Sequence, residues 1–468
     1  MKTNRNMLHV SGLILCLFTA MIAYLVHFTA TDAPSVITSP YNKRTSQMAS
    51  QSRRGSIISM DGEVLAKSEI NDEGNEIRLY PFDEMCAHVV GYNTHGKSGL
   101  ESTYNFELLA SHQKLKEQLD KNIRGEKKLG DDLYITIDTR LQEAAYDALS
   151  GNRGAIVAID PKTGAIKAMV SMPDYNPNYI DDIWETINSD SENSVLINRV
   201  TQGLYPPGST YKTVTALGYM KDHRNNYGKF SYDCTGETIV NSVKIHCYHG
   251  EEHGTVNLED AYAKSCNTAF VTLGSKLSLG RFVRLNEDLM FNDDIEFELP
   301  VSKSRFRLKS NSEKSQVPQT VIGQGDTLMT PFHNALIMCA VANDGVLMRP
   351  HLMNSIRSAD GHIVKQYKEK EAGRLMSDEM AGNLQKMMRK VVTDGTGHAL
   401  NTDEYSVAGK TGTAETGSGE SHAWFVGYSN VKDPDLVVCV IVENGGTGSK
   451  VAAPKAKEVF DTYYEEVK

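Results

Sequence analysis

The feature that most constrains this chain is an uncharged apolar stretch close to its first residue. Residues 7–30, MLHVSGLILCLFTAMIAYLVHFTA, contain no Lys, Arg, Asp or Glu. A helix of about 20 apolar residues crosses the hydrocarbon core of a bilayer. We therefore expect residues 7–30 to form one transmembrane helix. Small residues at 29–33 leave a cleaved signal peptide as the alternative.

The charges around this stretch predict its orientation. Lys2 and Arg5 precede it, and basic residues beside a span tend to stay in the cytoplasm. Basic residues at 43, 44, 53 and 54 oppose this, but a long following domain is translocated largely regardless of its charges. We expect residues 1–6 to be a cytoplasmic tail, and the rest of this single-pass membrane protein to lie outside the cytoplasm.

Composition and charge exclude other classes of protein. Of the 468 residues, 40% are apolar and 23% are charged, which is typical of a globular chain with more than one domain. The net charge of −10 provides no broad basic surface for a polyanion, so nucleic acid is not an expected partner. The cysteines and histidines show no zinc-type spacing, and we predict neither a metal nor a cofactor.

Residues 31–130 are expected to connect the membrane to a larger domain. Residues 31–52 are rich in Ser, Thr, Asn and Pro, which predicts an extended tether. The following segment, RRGSIISMDGEVLAKS, predicts a β-hairpin around Asp61-Gly62. Residues 111–128 are rich in lysine and glutamate with leucines at helical spacing, which predicts a solvated helix. We assign residues 53–130 to a small N-terminal domain.

A change of pattern marks the start of the main domain. The segment DDLYITIDTRLQEAAYDALSG begins at residue 131. It predicts a strand over 133–137, then a helix capped by Asp138 with apolar residues on one face. We place the domain boundary near Gly130, so that residues 131–468 form the main domain.

The tripeptide Lys-Thr-Gly occurs twice in this main domain. The first copy, residues 162–164 in DPKTGAI, joins two apolar runs. Asp and Pro set a turn there and Gly supplies a positive φ, so this copy has a complete structural explanation. The second copy, residues 410–412 in VAGKTGTAE, lies in a predicted strand. The glycines of this strand carry no side chain, so another group can approach its backbone closely. A lysine and a threonine beside an open strand edge suit an anionic peptide that adds to the sheet.

A candidate nucleophile lies in LYPPGSTYKTVTALGYM. Two prolines and Gly208 stop the preceding segment, and a helix is expected to begin at or near Ser209, with Lys212 one turn later on the same face. A lysine whose pKa is lowered by burial can take the serine proton, and an N–H at a helix start can face an oxyanion. The same spacing at Ser111 and Lys114 lies on the predicted solvated helix and is expected to be inert.

The segment AKSCNTAF offers a hydroxyl and a carboxamide to one ligand. Ser265 and Asn267 flank Cys266, which is expected to pack inward as a small apolar group. Ser191 and Asn193 repeat this spacing in an acidic loop. Each of these short motifs is weak evidence by itself.

The order of the three motifs is more informative. Ser209, Ser265 and Lys410 follow the order of the signature Ser-x-x-Lys, Ser-x-Asn, Lys-Thr-Gly of penicillin-recognising serine enzymes. Longer segments extend the match, namely LINRVTQGLYPPGSTYK, HGTVNLEDAYAKSCNTAF, IGQGDTLMTPFHNALIMCAVANDGVLMRPHL, AGKTGTAE and HAWFVGY. From about residue 131 onward the chain resembles the transpeptidase domain of class B penicillin-binding proteins. RRGSIISMDGEVLA and GLESTYNFEL resemble the N-terminal pedestal, or dimerisation-like domain, of that family.

This resemblance implies a fold and a reaction. The fold would be α+β: a penicillin-binding transpeptidase domain with an antiparallel sheet flanked by helices and an all-helical subdomain, a small pedestal domain, and one transmembrane helix. The short pedestal is similar to that of compact PbpA-type enzymes. The enzyme would attack peptidoglycan stem peptides ending in D-Ala-D-Ala, release the terminal D-Ala and transfer the acyl group to an amine of a neighbouring stem. β-Lactams would acylate the same serine.

The resemblance also implies a role for each motif residue. Ser209 would be the nucleophile and Lys212 its general base, while Ser265 and Asn267 would relay protons and hold the substrate amide. The terminal carboxylate would be bound by the second Lys-Thr-Gly segment: Lys410, Thr411, Gly412 and Thr413. The backbone N–H groups of Ser209 and Thr413 would form the oxyanion hole. A membrane-embedded glycan polymerase would be the partner, with division, elongation and sporulation roles all open.

Two other functions use the same motifs. A membrane-anchored β-lactamase or penicillin sensor would need the serine and lysine, but the pedestal-like segments would then have no role. A catalytically silent scaffold of a glycan polymerase would not need the complete triple motif. The penicillin acyl-enzyme separates the three functions, because it would be long-lived in a transpeptidase, quickly hydrolysed in a β-lactamase and absent in a scaffold.

One disulfide is predicted, between Cys234 and Cys247. Both cysteines lie outside the membrane in the expected orientation, where disulfides form. A loop of this size would add about 3 kcal/mol in the chain-entropy model. The five other cysteines, at 16, 86, 266, 339 and 439, lie in apolar or tight contexts and are predicted to be unpaired.

Overall fold

The computed structural model describes residues 2–31, 43–417 and 419–468. Its first helix, Lys2–Thr31, includes the apolar section Met7–Thr29, which is long enough to cross a membrane; a signal sequence meets the same criterion. Half of the predicted tether, residues 32–42, lies outside the described residues. Its last part, Lys43–Gln51, is a helix instead of the extended chain predicted there, because a stretch without Pro or Gly can close helical hydrogen bonds.

A five-stranded antiparallel sheet, the central sheet, organises the main domain. Three of its strands, between residues 154 and 172 and between 436 and 442, are mainly apolar and buried almost throughout. Such runs fit a sheet that is covered on both faces. In spatial order the strands are Val407–Ala414, His422–Ser429, Leu436–Val442, Gly154–Ile159 and Ile166–Met172. The strand with the second Lys-Thr-Gly is therefore at one edge of the central sheet.

Helices cover both faces of the central sheet, as predicted. Alternate residues of one strand enter opposite cores, because Ile156 and Ala158 pack in one cluster and Ala155 and Val157 in the other. The first cluster is closed by helices Thr139–Leu149 and Ala453–Thr462, and the second by Pro331–Ala342 and Asp378–Asp394.

A mainly helical subdomain stands beside the edge strand. Its helices are Lys212–Asp222, Leu258–Ala263, Asn267–Gly274, Leu279–Asp288 and Val317–Val321. The expectation of an all-helical subdomain is wrong, because this subdomain also contains two small antiparallel sheets. They are formed by Ser231–Cys234 with Gly254–Asn257 and by Glu237–Val240 with Val243–His246. These short strands bring three cysteines towards the start of one helix.

A six-stranded sheet joins the N-terminal domain to the main domain. Its strands, in spatial order, are Ile363–Gln366, Met353–Arg357, Asp132–Ile135, Ile57–Ile58, Val64–Ile70 and Glu76–Leu79. The boundary predicted near Gly130 lies just before the strand Asp132–Ile135, which pairs with strands of both domains. The position of the boundary therefore stays a prediction. Shorter elements complete the structure: strand pairs Ser52–Arg53 with Lys128–Leu129 and Val346–Met348 with Glu371–Arg374, and helices Ala87–Val90, Gly99–Thr103, Leu115–Arg124, Ile180–Ser189 and Arg199–Gln202.

Several local predictions are confirmed. The hairpin turns at Asp61-Gly62, with Ile57 opposite Ala66. Asp138 caps the helix that follows it, accepting a hydrogen bond of 3.1 Å from the N–H of Arg140. The helix predicted over 111–128 is shorter than expected: it begins at Leu115 and ends at Arg124.

Candidate active site

Ser209 lies on a short 3-10 turn, Gly208–Tyr211, that leads into the helix Lys212–Asp222. Gly208 has a φ of 54°, and its N–H donates to Gly323 O at 2.9 Å. A Cβ on Gly208 would lie 2.6 Å from Thr413 O, so only glycine lets this turn approach the edge strand so closely. The predicted helix start is therefore a 3-10 turn that presses the serine against the second Lys-Thr-Gly segment.

Lys212 is fully buried behind this turn. Its Nζ donates to Ser265 O at 2.6 Å, Asn267 Oδ1 at 2.6 Å and Ser265 Oγ at 3.2 Å. Burial lowers the pKa of Lys212 to about 8 because a low-dielectric environment disfavours the charged amine. A lysine in this range can exchange a proton near neutral pH.

The three donors of Lys212 thus link two of the three motifs. Among the described residues, no hydrogen bond joins its Nζ to Ser209 Oγ. Bonds of this kind are often long until substrate tightens the site. Ser265 has a φ of 55°, in the left-handed region, which turns its carbonyl towards Lys212 at the cost of backbone strain. Asn267 is held from its other end, since Nδ2 donates to His246 O at 2.9 Å.

Lys410, a residue of the edge strand, is also fully buried. Its Nζ donates to Thr411 O at 3.1 Å and lies 5.6 Å from the centre of the Tyr262 ring. Burial, and then the charge of Lys212, lower the pKa of Lys410 well below its usual range. Within residues 43–417 and 419–468 neither lysine makes an ion pair, so both buried amines lack a carboxylate within ion-pair distance.

The motifs meet at one cavity of about 580 Å³. Six of the sequence-predicted site residues line it: Ser209, Ser265, Asn267, Thr411, Gly412 and Thr413. Lys212 and Lys410 lie beneath the lining and act on it through the groups that they contact. The structure therefore brings all eight predicted residues into one region, although they span two hundred positions of the chain.

The repeated motifs lie elsewhere. Lys162 is on the turn between two strands of the central sheet and forms an ion pair with Asp433. Asn193 donates to Asp190 Oδ2 at 2.7 Å within its acidic loop. Ser111 and Lys114 were predicted to lie on a helix, but both precede it, because the helix begins only at Leu115. None of these described residues lines the cavity.

Sequence patterns missed other residues of the site. Thr396 lines the cavity, and its hydroxyl shares a hydrogen bond with the Thr411 hydroxyl. It follows the end of a helix in a loop without periodicity, so no local signal marks it. Glu251 and Glu415 add carboxylates to the lining, and only the packing of the helical subdomain against the edge strand brings them there.

The predicted disulfide is not formed in this structure. Cys234 and Cys247 are free thiols with their Sγ atoms 3.7 Å apart, and the bond between them stays a prediction. Cys266, predicted to pack inward, is fully buried and lies 3.7 Å from Cys247 Sγ.

The chain is similar to known proteins along nearly its whole length. The model of the penicillin binding protein transpeptidase domain matches residues 154–461, and that of the penicillin binding protein A dimerisation domain matches residues 54–133. The peptidoglycan D,D-transpeptidase PbpA of Mycolicibacterium smegmatis is 30% identical, over 96% of this chain and 97% of that protein.

Solved structures show the same similarity. The D,D-transpeptidase domain of a peptidoglycan glycosyltransferase from Eggerthella lenta has a TM-score of 0.80 and 32% identity, covering 89% of this chain and 99% of that chain. The imipenem acyl-enzyme of penicillin-binding protein A from M. tuberculosis has a TM-score of 0.81 and 28% identity, with coverages of 89% and 99%. The resemblance and the fold predicted from the sequence are confirmed.

Proposed function

The chain belongs to the penicillin-binding protein transpeptidase family, and from this premise we propose that it is a membrane-anchored serine D,D-transpeptidase that cross-links peptidoglycan stem peptides. One observation carries the proposal. A serine on the 3-10 turn before a helix, a buried lysine that makes no ion pair with any described residue, and an edge strand with Lys-Thr-Gly meet at one cavity. This arrangement suits acyl transfer from a peptide that ends in a carboxylate.

The edge strand explains how a donor stem peptide would bind. Val407–Ala414 is an outermost strand of the central sheet, so a peptide can pair with its backbone as an additional strand. Thr411 and Thr413 line the cavity and would bind the terminal carboxylate through their hydroxyls. The amine of Lys410 contacts the backbone of Thr411 and would add a positive charge beside them. A bound carboxylate would supply the negative charge that the two buried amines lack.

Acylation would then proceed at Ser209. Its Oγ attacks the carbonyl carbon of the penultimate D-Ala while neutral Lys212 accepts the hydroxyl proton. The backbone N–H groups of Ser209 and Thr413 stabilise the oxyanion. The peptide C–N bond breaks, and the proton passes from Lys212, through the Ser265 hydroxyl, to the departing D-Ala nitrogen.

The second half-reaction reverses the proton path. An amine of a neighbouring stem attacks the ester, loses a proton towards Lys212 and forms the cross-linking amide, while the proton returns to Ser209 Oγ. A β-lactam would be attacked in the same way, but its leaving amine stays attached to the acyl group and blocks the acceptor. Penicillin would therefore remain bound as an ester of Ser209.

The apolar helix completes the proposal for location and partners. We infer that Met7–Thr29 spans the membrane once with Lys2 and Arg5 in the cytoplasm, so that the active site faces the cell wall. The same helix would bring the chain to a membrane-embedded glycan polymerase that supplies its substrate strands. An alkaline phosphatase fused after Lys468 should be active in intact cells, and an inactive fusion of full length would refute this orientation.

Fluorescent penicillin tests the reaction on membranes that contain the full chain. Wild type should be labelled, and peptide mapping should find the adduct on Ser209. Ser209→Ala should abolish the label, whereas the matched control Ser111→Ala should keep it. An adduct on Ser111 would contradict the assignment of the nucleophile.

A chase with unlabelled penicillin separates the alternatives. A label that persists through the chase supports a transpeptidase, and loss of label with release of hydrolysed penicillin would indicate a β-lactamase. Wild type that never acquires label would indicate a silent scaffold. Cross-linked muropeptides from lipid II, made by purified chain together with a glycan polymerase and lost in Ser209→Ala, would establish the acceptor step.

A further inference from the structure

Three cysteines and a histidine converge beside the active-site cavity. Their candidate ligand atoms all lie within 4.8 Å of one another, and the four residues are Cys234, Cys247, His253 and Cys266. Cys247 Sγ lies 3.7 Å from Cys234 Sγ and 3.7 Å from Cys266 Sγ, and Cys234 Sγ lies 3.3 Å from His253 Nδ1. These distances describe a compact group with space for one ion at its centre.

We propose that these four residues bind a structural Zn²⁺ ion. Zinc with four ligands is tetrahedral, and bonds of about 2.3 Å to sulfur give sulfur–sulfur edges of about 3.8 Å, close to the two separations of 3.7 Å. All four side chains are almost completely buried, with exposures of 0–3% for the cysteines and 4% for the histidine. Four protein ligands leave no open position, which is typical of structural rather than catalytic zinc.

The residues around the group suit this assignment. The Thr268 hydroxyl lies 3.2 Å from Cys234 Sγ, 3.4 Å from Cys247 Sγ and 3.3 Å from Cys266 Sγ, so that it can donate to a thiolate. His253 Nε2, opposite the candidate ligand nitrogen, faces Glu251 Oε2 at 3.7 Å. Carboxylates in this place commonly orient a zinc-bound imidazole.

Chain spacing explains why sequence patterns missed this group. Cys234 ends one strand, Cys247 follows a second strand, His253 precedes a third and Cys266 caps a helix. The numbers of residues between successive ligands are 12, five and 12. Short pairs such as Cys-x-x-Cys, which mark most zinc sites in a sequence, do not occur among them. Only the two small sheets of the helical subdomain bring the ligands together.

The ion would fix two residues of the transpeptidase site. Cys266 lies between Ser265 and Asn267, which receive the hydrogen bonds of Lys212. Zinc would tie this short segment to the strand that ends at Cys234 and to the loop at His253. When the ion binds, three thiols each lose a proton and the imidazole binds as the neutral base. Ser265, Cys266 and Asn267 would then be held as one unit.

Metal content tests the proposal independently of catalysis. The full chain, purified in detergent without chelator from cells grown with zinc, should contain about one zinc per chain by mass spectrometry. Cobalt exchanged into the site should give the absorption of tetrahedral thiolate coordination. His253→Ala and Cys234→Ala should lose the metal, whereas the matched control Cys339→Ala, at a buried cysteine outside the group, should keep it.

A thiol count keeps the proposal falsifiable if these variants fail to fold. After denaturation with chelator, wild type should show all seven cysteines as free thiols. Five thiols would mean that Cys247 forms a disulfide with Cys234, as predicted from the sequence, or with Cys266, which is equally near. Either bond removes two ligands and overturns the zinc site. Wild type without zinc, or Cys234→Ala that retains it, would also overturn it. Chelated wild type should unfold at a lower temperature and should recover when zinc is restored.

Discussion

The two Lys-Thr-Gly tripeptides, residues 162–164 and 410–412, are identical in sequence and differ in almost every contact. The side chain of Lys162 is 45% exposed and forms an ion pair with Asp433 at the surface. Lys410 is fully buried, and in the described part of the chain its amine meets a backbone carbonyl and an aromatic ring but no carboxylate. An exposed pair is already satisfied by its partner and by water, whereas a buried amine without a counter-charge favours binding of an anion.

The glycines of the two tripeptides, Gly164 and Gly412, are also required for different reasons. Gly164 has a φ of 81°, and a Cβ there would lie 2.3 Å from Arg349 O, so the turn itself requires glycine. Gly412 is in an extended strand, where a Cβ would lie 3.0 Å from both Thr210 Cγ2 and Trp424 Cβ. Gly164 is required by the backbone conformation of its turn, whereas Gly412 lets the turn that carries Ser209 approach the edge strand. Identical tripeptides therefore have separate structural causes.

The largest effect is expected for Lys410→Met, which removes the charge and keeps most of the volume. Penicillin acylation should slow roughly 100-fold or more, since electrostatic groups of an active site commonly contribute that much. Thermal stability should be unchanged or higher, because a buried unpaired amine is replaced by an apolar group. Stopped-flow acylation and a melting curve measure both. An unchanged acylation rate would contradict the proposal that only the second Lys-Thr-Gly tripeptide takes part in the reaction.

The next largest effect is expected for Gly164→Ala, and it concerns stability. The positive φ and the close carbonyl of Arg349 should reduce the free energy of unfolding by about 2 kcal/mol. Folded Gly164→Ala should still react with penicillin at the wild-type rate. A denaturant titration and an acylation assay at low temperature test this separation; slow acylation with normal stability would assign this turn a catalytic role.

Gly412→Ala should show the opposite pattern with a smaller effect. The new methyl meets Thr210 and Trp424 at 3.0 Å, so the serine turn must move by a few tenths of an ångström. Acylation should slow by about tenfold, because small misplacements of reacting groups reduce rates steeply. The same two measurements apply, and a loss confined to stability would show that the close approach has no effect on the chemistry.

The smallest effect is expected for Lys162→Met, the matched control for Lys410→Met. Its exposed ion pair is screened by solvent and should contribute little to stability, so the melting temperature should stay close to that of wild type, and acylation should stay within about twofold of wild type. Parallel acylation and melting curves of the two variants provide the comparison. Equal losses in both would mean that the functional copy was chosen wrongly.

Short-range patterns were sufficient for much of the fold. The cap at Asp138, the hairpin at Asp61-Gly62 and the turn at Lys162 each depend on residues a few positions apart, so their causes can be seen in the sequence. The order of Ser209, Ser265 and Lys410, with their surrounding segments, was sufficient for the family. These predictions succeed because local geometry and family motifs depend on residues that are contiguous in the sequence.

Long-range packing decided what contiguous residues cannot express. The sequence by itself determined which residue types lie at the site and in which order, including the cysteines. Only the tertiary structure buried Lys212 and Lys410 beneath one cavity, placed Thr396 against Thr411 and gathered Cys234, Cys247, His253 and Cys266. The physical reason is that burial and ligand geometry depend on how separate strands and helices pack, and a pattern of neighbours carries no information about that packing.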